Sequence, residues 1–296
     1  MPRVSEMPRF DEHSIAVSIV RPKSPWSAVW ILVFLPCFLP LQAAELKPET
    51  VRAWDQYLKW ADAKVQHELS LPNLFLIQNT LPPAQKAAVQ RQLEAGQIIA
   101  RTMTGVVPAG VHFNVPSGEI HHWWGAILLR NVRLSQLLQF LQDYDHHAGR
   151  FSDVERSRLI SRDGNHYRFF FRLKRSKSLV TAYYNTEQEC FYTYHDSSRV
   201  SSQSVATRIA ELDNPGTSSE TEKPPGNDRG FLWRLASWWR FEQKGNDVIV
   251  ELESASLSRD IPVLVKFIPG VSAYIRRTPQ ETLESVLSSI GEYLKK

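Results

Sequence analysis

The stretch HYRFFFRLKRS, residues 166–176, most narrows what this chain can fold into. Tyr167, Phe169, Phe171 and Leu173 alternate with Arg168, Phe170, Arg172 and Lys174. An apolar residue at every second position predicts a strand with one buried face. The pattern has neighbours of the same kind. DVERSRLISR precedes it across a turn at Asp163-Gly164, and SLVTAYYNT, ECFYTYHD and RVSSQSVATRIAEL follow at hairpin spacing. A long polar loop over 213–230 then leads into FLWRLASWWRFEQ and DVIVELESASL, joined by KGN. Short connections of this kind make consecutive strands antiparallel partners.

Helical patterns bracket the strands. Over 46–69, Val51, Trp54, Leu58, Ala61 and Val65 recur at 3-4-3-4 spacing, which predicts a helix with one apolar face. A second helix is expected from Pro83 to Ala95, stopped by Gly96. QIIARTMT and IHHWWGAILL read as strands. NVRLSQLLQFLQDYDHH reads as an amphipathic helix with Leu134, Leu137, Leu138, Leu141 and Tyr144 in one stripe, ended by HHAG with Gly149 as its cap. The last segment, TPQETLESVLSSIGEYLKK, has Thr278 as an N-cap and Pro279 as first residue. Leu283, Val286, Leu287, Ile290 and Leu294 form its apolar face. Helices at both ends of an antiparallel strand series indicate an α+β domain.

The N-terminus reads as an address. Arg3, Arg9, Arg21 and Lys23 precede an uncharged run that lasts until Glu45. Its most apolar part, Ala28 to Leu41, is shorter than the roughly 20 residues needed to span a bilayer and contains Pro36 and Pro40. Ala43 and Ala44 supply small residues at its end. Residues 1–44 are therefore expected to be a signal peptide, sending the chain to the periplasm or outside the cell. The alternative is a membrane anchor formed by residues 25–44.

Chemistry is harder to find. Basic and acidic residues, 35 and 31 of them, are interspersed without a basic block, so nucleic acid is not an expected partner. Of two cysteines, Cys37 lies in the apolar N-terminal run, which leaves Cys190 as a packed thiol in a strand. HExxH, GxSxG, Walker and dinucleotide-binding glycine patterns are all missing, so no metal, cofactor or catalytic residue is assigned. QDYDHH places Asp143, His146 and His147 together, and His121 and His122 sit upstream. Adjacent histidines diverge on a helix and point to opposite faces on a strand, so convergence on one ion is disfavoured. His122, Asp143 and His146 are instead candidate polar groups at the rim of a pocket.

The helix RLSQLLQFLQDYDHH, the strand meander after it, the closing hairpin WRLASWWRFEQKGNDVIVELES and the final helix from Thr278 together resemble the START/polyketide-cyclase superfamily (SRPBCC, helix-grip). The likeness covers about residues 97–296. It implies a curved antiparallel sheet gripping a long C-terminal helix, with an apolar cavity between them. It also divides the chain into residues 1–44, an N-terminal helical segment 45–96 and the domain 97–296. Members bind lipids, sterols, quinones or polyketides, and some are cyclases; no universal catalytic residue exists to carry over. The N-terminal run, the two leading helices and the loop over 213–230 depart from the pattern.

Strand parity gives a lining for such a cavity. Trp233, Trp239 and Phe241 share a face with Ser237, and Val250, Leu252 and Ser254 share the facing register. Phe169, Phe171, Tyr192, Ser202, Ser204 and Arg208 are added from the other strands, with Val286 and Ile290 from the helix. Rings beside sparse hydroxyls suit an apolar body with one polar end. The expected function is non-catalytic binding or transport of a hydrophobic small molecule or lipid by a monomer, with transient membrane contact. Two alternatives remain open: an aromatase/cyclase-like enzyme using Tyr192, Arg208 or a histidine, and an envelope interaction module that docks through residues 46–96.

Overall fold

The computed structural model describes residues 44–103, 113–177, 180–224, 227–260 and 271–294. Residues 1–43 of the expected address segment fall outside these residues, and among the described residues no helix is long and apolar enough to cross a membrane.

Helix α1 spans Pro48–Ser70 and opens on a proline, whose missing N–H costs nothing in a first turn. It stops at Leu71, where Pro72 favours extended backbone in the residue before it. Two 3-10 turns, Pro72–Leu74 and Ile77–Thr80, lead to α2, Pro83–Glu94. Gly96 follows at φ 77°, a left-handed conformation that suits glycine.

The main sheet contains β1 (Ile99–Thr102), β2 (Gly118–Leu129), β3 (Val154–Asp163), β4 (His166–Lys177), β5 (Val180–Tyr194), β6 (Arg199–Asp213), β7 (Arg234–Lys244) and β8 (Asp247–Arg259). Their spatial order is β1-β2-β8-β7-β6-β5-β4-β3, with every neighbouring pair antiparallel. The sheet is open, and a two-residue strand at Thr221–Glu222 adds to β6. Ala44–Glu45 pairs separately with Asn227–Asp228. Helix α3, Leu134–Gln142, follows β2, and α4, Val271–Leu294, closes the chain.

Three expected boundaries shift. SLVTAYYNT and ECFYTYHD are one continuous strand, β5, because nothing between them turns the chain: Thr186 and Gln188 face inward and are buried. Helix α3 ends at Gln142, earlier than HHAG, and a 3-10 turn at Tyr144–His146 follows. Tyr144 leaves the helix to stack on Phe169, ring centroids 4.0 Å apart and 12° from parallel. The last helix begins at Val271, so Pro279 lies inside it and breaks one i→i−4 hydrogen bond.

Helix α4 lies across the concave face of the sheet and buries Leu283, Leu287 and Ile290 completely or nearly so. Gly125 in β2 makes that contact close. A Cβ there would stand 2.0 Å from Leu283 Cδ2 and 2.8 Å from Leu287 Cδ1. The helix thus rides in a notch where β2 carries no side chain. This is the helix-grip architecture.

The opposite, convex face is also covered. Trp54, Tyr57, Ala61 and Val65 of α1 pack with Ile120, Ala236, Trp238, Ala255 and Leu257 of the sheet. A second cluster joins Val89 and Leu93 of α2 to Ile99, Trp124 and Ala126. The apolar faces of both leading helices are therefore taken up by the sheet itself.

Charged groups are sealed in this convex layer. Arg240 Nη2–H donates to Glu68 at 2.5 Å and Nη1–H to the Phe75 carbonyl at 3.1 Å. Glu253 accepts from Lys64 at 2.9 Å and pairs with His122 Nε2 at 2.9 Å. Tyr57 Oη and His122 Nδ1 are 2.7 Å apart. Glu251 accepts the backbone N–H groups of Ile77 and Gln78 at 2.5 and 3.1 Å, anchoring the 3-10 turn. Burial pushes the Glu251 carboxyl up to about 7 against the opposing pull of Arg240 and these amides. Burial also raises Glu253, but the His122 hydrogen bond and the charges of Lys64, His122 and Arg240 outweigh it and hold the group at about 2.

A pH dependence follows. The Glu251 carboxyl is protonated more readily folded than unfolded, so its contribution is fully present below about pH 4.5 and lost as pH rises to about 7. The full loss is on the order of 3 kcal/mol. His147, held at about 4 by burial, runs in the opposite sense between its ordinary 6.5 and that value. Comparison with Glu251→Gln isolates the glutamate. In urea unfolding at pH 5 and pH 7.5, the stability advantage of wild type over Glu251→Gln should be larger at pH 5. An equal advantage at both values would remove Glu251 as the titrating group.

Candidate functional site

Between the concave face of the sheet and α4 lies a cavity of about 160 Å³. Four strands build most of its floor and walls because each sends every second side chain inward, and β3 adds Val154 at its start. Strand β4 contributes Phe169 and Phe171, β5 contributes Gln188, Cys190 and Tyr192, and β6 contributes Ser202 and Ser204. Leu235, Ser237, Trp239 and Phe241 come from β7. The α3 side supplies Leu141, Tyr144 and His147; α4 supplies Ser285, Val286 and Ser289. At one margin Ser152 Oγ and Ser285 Oγ are 2.7 Å apart, and Asp153 pairs with Arg175.

Register organises the floor. Cys190 stands opposite Ser204, Ser204 opposite Ser237, and Ser237 opposite Ser254. Small side chains thus form one row across four strands. The adjacent row is larger, with Tyr192 opposite Ser202, Ser202 opposite Trp239, and Trp239 opposite Leu252. The hollow lies where the small row meets rings held apart by the pleat.

The polar groups here are restrained. Burial lowers His147 to about 4, and its Nε2–H donates to the Phe140 carbonyl at 3.2 Å. Burial pushes the Cys190 thiol up to about 11. The Tyr144 and Tyr192 hydroxyls are 3.1 Å apart, and burial raises both well above the ordinary phenol range. None of these is poised to ionise near neutral pH. Among the described residues no group of three or more His, Cys, Asp or Glu side chains converges as a metal site would.

Eight of the residues expected to line a pocket do face this cavity: Phe169, Phe171, Tyr192, Ser202, Ser204, Trp239, Phe241 and Val286. The others lie elsewhere. Val250, Leu252 and Ile290 are buried in the core under α4 and lie outside the cavity lining. Ser254 shares the floor row but lies beyond the lining. Arg208 points outward to Glu222, because β6 carries a bulge: Arg208 pairs with Glu187 but Ala206 with Gln188. That extra residue, Thr207, reverses the alternation and brings Ile209 inward instead. Trp233 precedes the β7 ladder and packs on the convex side, its Nε1–H donating to Asp228 at 3.0 Å.

The three rim candidates are also away from the cavity. His122 is on the convex face with Tyr57 and Glu253. Asp143 and His146 form an exposed pair at 2.6 Å, joined by Arg150 at 2.8 Å. The His146 hydrogen bond, and then Arg150, lower the Asp143 carboxyl below its usual range. The histidine that reaches the cavity is His147, because the chain leaves α-helical geometry at Asp143. Gln188 was concealed by reading β5 as two strands. Continuous alternation backward from Tyr192 would have placed it on the floor.

No family model and no curated protein matches the chain. Comparison of the fold with solved structures finds a STAR-related lipid transfer protein of Xanthomonas axonopodis at 14% identity, TM-score 0.43, covering 62% of this chain and 96% of that one. An aromatase/cyclase from Streptomyces sp. R1128 matches at 11% identity, TM-score 0.36, covering 60% and 94%. A human lipid transfer and protein localization domain, StarD13, matches at 7% identity, TM-score 0.36, covering 71% and 98%. The strand order and the seated helix described above carry the fold assignment.

Proposed function

We propose that this chain binds a hydrophobic small molecule, holding an apolar group in the cavity under α4 without transforming it. The observation that carries this reading is the cavity itself, lined by Phe169, Phe171, Trp239 and Val286 with a few hydroxyls among them. Its size narrows the claim. At about 160 Å³ it holds one ring or a short branched chain, whereas drug-sized and lipid-sized ligands fill roughly 300 Å³ or more. A lipid would insert only part of its body, or the helix would move outward. The absence of reaction is supported by the chemistry of the lining: a thiol held protonated and an imidazole held weakly basic serve poorly as nucleophile and general base at neutral pH. Export is part of the proposal and rests on the N-terminal sequence pattern alone.

Benzene is the direct probe, since an apolar cavity of about 150 Å³ accommodates it. Titration followed by NMR should give saturable shifts at the cavity residues. Ser202→Phe, which places a ring in the empty space, should weaken binding at least about tenfold. Wild-type protein that shows no saturable binding of benzene or toluene would end this reading.

A further inference from the structure

The polarity of the cavity floor goes further than its size. We infer that the cavity selects a neutral ring carrying a hydroxyl, a phenol or cyclic alcohol, and rejects a carboxylate; this rests on the binding reading above.

The direction of one hydrogen-bond chain carries the argument. Thr186 Oγ1–H donates to the Phe171 backbone carbonyl at 3.1 Å. A carbonyl can only accept, so the threonine proton is committed there. Gln188 Nε2–H then donates to Thr186 Oγ1 at 3.3 Å, which fixes which end of the amide faces the threonine. The amide oxygen is left to face β6, where Ser204 Oγ–H donates to it at 3.3 Å. Each link sets the next. Ser204 ends the chain with its proton used and its lone pairs free, on the cavity lining. It therefore offers an acceptor and calls for a donor. A ligand hydroxyl supplies one; an ether, a carbonyl or a carboxylate does not.

Charge points the same way. The carboxyl and guanidine side chains among the lining residues are Asp153 and Arg175, which pair with each other at the margin with about a quarter of each side chain exposed. The floor has only hydroxyls, an amide and a thiol. His147 stays neutral near pH 7 because burial holds it at about 4. An anion placed beside Ser204 would lose part of its hydration, and the cationic side chain of the lining, Arg175, is already paired with Asp153. Size completes the class, since one ring with one small substituent fills about 160 Å³.

The test uses four probes on the full protein at pH 7: benzene, phenol, anisole and benzoate. Phenol is expected to bind near tenfold more tightly than benzene or anisole, with benzoate weaker than benzene. In Ser204→Ala the phenol-to-benzene ratio should fall to about one. The wild-type series stands even if that variant folds poorly. A phenol-to-benzene ratio below about threefold, or benzoate binding as tight as phenol, would overturn this inference and leave the binding reading intact. Failure of all four probes would overturn both.

Discussion

Arg240→Met should cost about 3–5 kcal/mol of folding stability, a large share of what a domain of ordinary stability possesses. The guanidinium is 1% exposed and sits between α1 and the convex face of the sheet. It donates to Glu68 and to the Phe75 carbonyl, and it lies 3.6 Å from Glu253. Removing it leaves Glu68 and Glu253 with Lys64 and His122 as their remaining charged partners, and Glu251 beside them with the Ile77 and Gln78 amides. Breaking a buried ion pair is costly for this reason, while replacing both members with apolar groups can be neutral. The double variant Arg240→Met with Glu68→Leu should accordingly recover most of the loss. Chemical denaturation of the two variants checks the claim. A single variant that loses less than about 1 kcal/mol would show that the carboxylates neutralise or hydrate without the arginine.

The second large effect lies on the other side of the sheet. Gly125→Ala should destabilise by about 1–3 kcal/mol, and Gly125→Val by more, because the new atoms occupy space held by Leu283 and Leu287. Alanine at this site demands a rearrangement of α4, and Val286 and Ser289 on that helix line the cavity. Binding should therefore weaken together with stability. Leu283→Ala in the same chain relieves the nearest of the contacts that the methyl makes, so the double variant should lose less than the sum of the singles. Additive losses in that double-mutant cycle would mean that the notch and the leucine are not coupled.

The legible parts of this fold were those governed by period. Alternation over Tyr167–Leu173 and over Leu235–Phe241 gave the correct strands and faces, and the Gly245 turn joined the last pair as expected. Departures arose where one residue changes the count. The bulge at Thr207 sent Arg208 outward, and the end of α3 at Gln142 put His147 rather than His146 toward the core. Neither event has a glycine or proline to announce it. The convex layer was hidden for another reason. Glu251 and Glu253 look like solvent-facing positions in a half-buried strand, yet both are fully buried under α1 and the 3-10 turns. Alternating polarity says which residues share a face. It does not say that a charged face will be covered by partners far away in sequence, as Lys64 and Glu68 cover this one.

Strand β7 belongs to two interiors at once. Ala236, Trp238 and Arg240 serve the layer beneath α1, while Leu235, Trp239 and Phe241 serve the hollow beneath α4. An ordinary two-faced strand that slips by one position loses one buried surface and gains solvent on the other. Here a slip would drive a guanidinium into the oily chamber and take Arg240 from Glu68 and Glu253 in the same motion. The chain thus carries its own proofreading of alignment, enforced from above and below by incompatible chemistries.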